Sequence, residues 1–108
     1  MSRAANKRAA MQMPVEAVDA DGQIVQSYET QFSRWVGVRY LRGGESVMQA
    51  RLQSRSPVIL TVRDDTDTRR ITSEWKAVID GREYAFKEDR RPSDNRLYLE
   101  FLAEGKNP

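Results

Sequence analysis

Trp75-Lys76-Ala77-Val78-Ile79-Asp80-Gly81-Arg82-Glu83-Tyr84-Ala85-Phe86-Lys87 decides the fold of this chain. Asp80-Gly81 is a two-residue turn signal, because a type I′ turn needs positive φ at both central positions. Folding there sets Ile79 opposite Arg82, Ala77 opposite Tyr84 and Trp75 opposite Phe86. Directly opposed residues of an antiparallel pair share a face of the sheet. Trp75, Ala77, Ile79, Tyr84 and Phe86 then make one apolar surface, and Lys76, Val78, Glu83, Ala85 and Lys87 make the other. A slip of one residue exchanges the faces, so the pattern specifies the register. The rest of the chain must supply strands that cover the apolar side.

Phe32 to Leu41 reads as a second strand, with Val36, Val38 and Tyr40 on one face and Trp35, Gly37, Arg39 and Leu41 on the other. Ahead of it, Ala10 to Val18 reads as an edge or bulged strand because Pro14 cannot donate to a ladder. Asp19 to Gly22 is a turn, and Gln23 to Thr30 is the returning strand. Residues 1–10 are small, polar and basic, and are expected to form a flexible arm. After Gly43-Gly44, Glu45 to Gln53 has helical spacing. Val58 to Arg63 alternates as a strand. Ile71 to Ile79 and Arg82 to Glu88 make the hairpin, and Asp89 to Asn95 is a polar loop. Arg96 to Ala103 closes the domain with Leu97, Leu99 and Phe101 inward, and residues 105–108 are tail.

Short strands with frequent turns and one short helix in a loop predict a mainly β fold: a small antiparallel β-barrel of about six strands spanning residues 11–104. The predicted core is Trp35, Val36, Val38, Leu60, Trp75, Ile79, Tyr84, Phe86, Leu97, Leu99 and Phe101.

The 108 residues suffice for one domain with a modest core. No apolar run approaches a membrane span, and the basic N-terminus lacks the apolar stretch of a secretory signal, so synthesis in the cytoplasm and no membrane partner are expected. Cys is absent, which removes disulfides and thiolate chemistry. His is absent too, and with it the commonest general base and metal ligand. Neither an enzyme nor a cofactor is expected. Asp64, Asp65 and Asp67 are the densest carboxylate group, but a calcium loop begun at Asp65 would need Gly and Glu where Arg70 and Lys76 stand. A solvated turn balanced by Arg69 and Arg70 is the better reading. Gly43-Gly44 lacks the Lys-Ser/Thr of a phosphate loop and reads as a hinge.

Net charge is only +2, yet the charges are segregated. Residues 14–33 carry Glu16, Asp19, Asp21 and Glu29 with no base. Residues 34–55 carry Arg34, Arg39, Arg42, Arg51 and Arg55 against Glu45 alone. Blocks of opposite sign suit a protein that meets copies of itself or several partners edge to edge. Arginines near Trp35 and Tyr40 also allow an alternative, a small barrel binding single-stranded nucleic acid.

The order of these pieces resembles the head–tail joining, or head closure (stopper), proteins of tailed bacteriophages, which also occur in gene transfer agents. The pieces are the Asp19–Gly22 turn, Trp35-Val36-Gly37-Val38-Arg39, Leu41-Arg42-Gly43-Gly44-Glu45 and its short helix, the strand ending Thr61-Val62-Arg63, Ile79-Asp80-Gly81-Arg82-Glu83-Tyr84, and Arg96-Leu97-Tyr98-Leu99-Glu100. The resemblance implies a dodecameric ring at the virion neck, between a portal–adaptor complex and a tail terminator or other tail protein, close to packaged double-stranded DNA. It makes Arg42, Gly43, Gly44, Glu45, Met48, Arg51 and Arg55 candidates for a gating or partner-binding loop. Arg3, Lys7 and Arg8 become candidates for an arm that reaches a neighbouring subunit.

Overall fold

The computed structural model describes residues 7–41, 44, 48, 55–92 and 96–106. Among the described residues seven strands form one antiparallel sheet: β1 (Lys7–Val18), β2 (Ile24–Tyr40), β3 (Arg55–Arg63), β4 (Lys76–Ile79), β5 (Arg82–Phe86), β6 (Arg91–Pro92) and β7 (Tyr98–Lys106). Their order is β3-β2-β1-β4-β5-β7-β6, and β3 also pairs with β7. That last pairing closes six strands into a ring, with two-residue β6 appended to β7. The mainly β, closed antiparallel fold expected from the sequence is the one formed. Among the described residues the helical positions are a 3-10 turn, Thr68–Arg70, and Met48, which is α-helical. The helix expected over Glu45–Gln53 falls, apart from Met48, outside the described residues.

The β4–β5 hairpin has the expected register, Ile79↔Arg82 and Ala77↔Tyr84. Asp80 and Gly81 take φ of 53° and 78°, the left-handed pair of a type I′ turn. One turn signal flanked by matched alternation was enough to determine this element. Trp75, Ala77, Ile79, Tyr84 and Phe86 are buried, as are Val36, Leu60, Leu99 and Phe101 from the surrounding strands. Phe86 meets Phe101 edge-on at 5.1 Å between centroids. Val38 is partly buried against this cluster.

Two expected core residues lie outside it. Trp35 is 54% exposed, because it neighbours inward-facing Val36 and successive strand residues face opposite sides. Leu97 is 52% exposed; it continues the inward line of Leu99 and Phe101, but past the end of the strand at the rim of the ring.

The expected arm is also revised. Lys7 to Ala10 belong to β1, where Ala9 and Ala10 pair with both β2 and β4. Ala9 is fully buried, but a small residue in a basic context gives little hydrophobic signal. The edge reading of β1 holds beyond Gln12, where β4 ends. Arg3 lies outside the described residues.

The two strands expected over Gln23–Thr30 and Phe32–Leu41 are one 17-residue strand, β2. A bulge explains the apparent break. Met11 pairs with Phe32 and Gln12 with Thr30, leaving Gln31 unopposed, so the alternation changes phase there. Ile71 to Glu74, expected as strand, follow the 3-10 turn and are not in the sheet. Fully buried Thr68 organises that turn: its hydroxyl donates to the Arg63 carbonyl at 2.8 Å and accepts from the Asp65 N–H at 2.9 Å. Such local side-chain bonds compete with the ladder.

The expected tail is shortened as well. β7 runs to Lys106, and Gly105 pairs with Tyr84. A Cβ at Gly105 would stand 2.7 Å from Tyr84 Cε1 and 2.9 Å from Cδ1, so the glycine admits the buried ring. Gly105→Ala is therefore expected to destabilise the fold by roughly 1–3 kcal/mol, as overpacking does. A denaturant midpoint equal to that of the parent chain would contradict this placement of Tyr84.

Candidate docking surfaces

Four groups of charged or exposed residues stand outside the core, and β2 and its neighbours position all of them. The first is the connection between β2 and β3. Leu41 N–H donates to the Pro57 carbonyl at 3.1 Å, closing the base of this connection. Arg55 pairs with Glu104 on β7 at 3.3 Å. Gly44 has φ of 83°, a left-handed conformation that suits glycine, and its carbonyl accepts from Met48 N–H at 3.1 Å. The Met48 side chain is 57% exposed. Arg42, Gly43, Glu45 and Arg51 lie outside the described residues.

The second group is the outer face over β1, β2 and β3. Arg8 and Trp35 are cross-strand partners, and the guanidinium sits 5.5 Å from the indole centroid. A cation over an exposed indole is held by the ring quadrupole while both groups stay accessible. Arg39, four residues along β2, is on the same face, and Arg63 follows Val62, the partner of Val36. Arg8, Arg39 and Arg63 make no ion pair among the described residues. Lys7, on the other parity of β1, pairs with Asp80 at 3.0 Å instead. Lys7 and Arg8, expected on an arm, are therefore fixed on the body.

The third group is the Asp64–Asp67 turn. Arg34 spans it: Nε donates to Asp65 Oδ2 at 3.0 Å and Nη2 to Asp67 Oδ2 at 2.6 Å. Its guanidinium also covers the Phe32 ring at 4.8 Å. Asp64 is held by Arg69 at 2.7 Å. Arg69 thus balances the turn as expected, whereas Arg70 instead lies 5.7 Å from the Trp75 ring. Hydrogen bonding from Arg69 holds the Asp64 carboxyl below its ordinary pKa. At Asp65 burial pushes upward, but hydrogen bonds from Thr68 and Arg34 outweigh it and the carboxyl also lies low. These acids are bound into the fold, and Arg34 is withdrawn from the basic block.

The fourth group is the distal part of the β1–β2 ribbon. Met13 to Val18 pair with β2 alone, and β2 pairs with β3 only over Val36–Tyr40. Val18 and Ile24, partners at the tip, are 70% and 71% exposed. The tip is a turn organised by its own side chain: Asp19 Oδ1 accepts from the Asp21 and Gln23 N–H groups, both at 2.9 Å.

Sequence reasoning did not find the Arg8–Trp35 pair, although strict parity with Val36 would have placed Trp35 outside. It could not find the Arg34 clamp, since Asp65 is 31 positions away along the chain.

These surfaces have the exposure and charge that suit protein–protein contact. The phage head completion protein family matches residues 2–106. A Shigella flexneri 2a protein whose structure was determined in solution is similar at 19% identity and TM-score 0.64, over 93% of this chain and 91% of that one. A chain from the virion of a native gene transfer agent particle is similar at 19% identity and TM-score 0.62, over 92% of both chains. No curated protein matches. At that identity the two structures support the closed sheet alone, whereas the sequence match covers nearly every residue that builds it: the chain belongs to the phage head completion protein family.

Proposed function

We propose that this protein is a head closure connector. Copies form a ring, dodecameric as the sequence resemblance implies, at the neck between the portal–adaptor complex and the tail terminator or another tail protein. The ring retains packaged DNA and gives the tail its platform. The observation that carries this reading is the family match over residues 2–106. The segmented surface supports it: an acidic ribbon and a basic aromatic face lie on different parts of one closed sheet. The segment 42–56 is the gating or partner-binding element. Its arginines would meet phosphates, which need no sequence reading.

Electron microscopy of particles made from the native genome without this gene tests the proposal. Heads that have lost their DNA, beside free tails, are the expected result; intact tailed particles would overturn it. Replacing Arg42, Arg51 and Arg55 together is expected to leave the fold intact and lower the yield of DNA-filled heads. A normal yield from that variant would remove the gating role.

One observation favours a second reading. Trp35 is exposed and flanked by Arg8, the arrangement that stacks single-stranded bases. Salt-sensitive binding of the purified chain to an oligonucleotide, lost in Trp35→Ala, would establish it.

A further inference from the structure

The β1–β2 ribbon is the least self-sufficient part of the molecule. Beyond Gln12 it is two strands with both outer edges unpaired. Two isolated strands are marginal in water, and a free edge is a template for another chain. Val18, Ile24 and Val25 are exposed on it at 70%, 71% and 40%. Residues 14–33 contain four acids and no base, and Glu16, Asp21 and Glu29 make no ion pair among the described residues. The turn built on Asp19 holds the tip in a fixed shape, which lowers the ordering cost of docking.

The same molecule carries the complementary surface. Arg8, Arg39 and Arg63 surround Trp35 on the outer face, basic where the ribbon is acidic, with an exposed indole to cover apolar residues. Gln26, the partner of Glu16, lies thirteen residues before Arg39 on the same strand. At about 3.3 Å per residue that is roughly 40 Å, so a copy cannot reach its own face. Negative charge along the ribbon also opposes contact with DNA.

We infer that the acidic ribbon of one copy docks on the Arg8/Trp35/Arg39/Arg63 face of a second copy. Because the two surfaces differ, the contact is head-to-tail, the kind that closes into a ring when its rotation permits. The inference rests on the ring reading above and names the surfaces that would make it. Rim charges of this kind set partner choice and orientation.

Particles assembled with Arg39→Lys and Arg63→Lys test it, since both changes keep the charge and supply amines. A carbodiimide joins carboxylates directly to amines. The expected result is a ladder of linked chains, with peptides joining Glu16 or Asp21 to the amines introduced at positions 39 and 63. Adding Glu16→Gln and Asp21→Asn should reduce the ladder at least tenfold. Normal incorporation without these links, or links from positions 39 and 63 to another protein, would overturn the docking and leave the connector reading in place. Absence of the parent chain from particles would overturn the connector reading itself. As an independent check, Arg39→Glu with Arg63→Glu should block incorporation, and co-expression with a chain carrying Glu16→Lys and Asp21→Lys should restore it; no restoration counts against the pairing.

Discussion

Trp75→Ala is expected to lower the stability of the fold by about 3–5 kcal/mol, as removal of a large core aromatic does. Trp75 is 5% exposed and its ring lies 5.9 Å from that of Phe32. It also closes the hairpin end, because its carbonyl accepts from Phe86 N–H at 3.2 Å. At about 4 °C or more per kcal/mol for a domain of this size, the midpoint should fall by about 12 °C or more. Trp35→Ala removes the same side chain from the outer face and should change stability by no more than about 0.5 kcal/mol. Thermal melts of the two purified variants, followed by circular dichroism, make the comparison. Equal losses would contradict the assignment of the two tryptophans to opposite faces of the sheet.

Arg34→Ala is expected to cost about 2 kcal/mol, because two charge-assisted hydrogen bonds to carboxylates and one to the Ser33 carbonyl are lost and two carboxylates remain side by side. The figure is set below that for a fully buried pair because the Arg34 and Asp65 side chains are 29% and 34% exposed. The variant should also change the response to acid. Asp64 and Asp65 have folded pKa values below the unfolded carboxylate value of about 3.9, so their contribution is complete above that pH and is lost as pH falls through the folded values. The parent chain should therefore lose stability below about pH 4, and Arg34→Ala should lose less over the same window. Urea midpoints at pH 7 and pH 3 test this. An unchanged difference between the two pH values would show that Arg34 does not hold Asp65 low.

The exposed faces were less legible than the core, for identifiable reasons. A bulge at Gln31 reverses the alternation inside β2 without any glycine or proline to announce it, so one long strand resembles two short ones. Ala9 and Gly105 occupy strand positions where the side chain is too small to mark a face. Leu97 keeps the parity of the core but stands past the rim, and parity alone carries no information about where a ring ends. Arg34 looks like any other member of a basic block until the fold brings Asp65 and Asp67 to it.

Local chemistry in the sequence determined the Asp80-Gly81 turn, the register of β4 and β5, the apolar face from Trp75 to Phe86 and the mainly β class. Those features depend on residues within a few positions of one another, where period-2 alternation and positive φ act directly. The closure of β3 on β7, the projection of the ribbon past its neighbours, and the gathering of Arg8, Trp35, Arg39 and Arg63 on one outer face were decided by the tertiary structure. Each requires strands distant in sequence to meet in one register, and that register is selected by the packing of all six strands around a shared core.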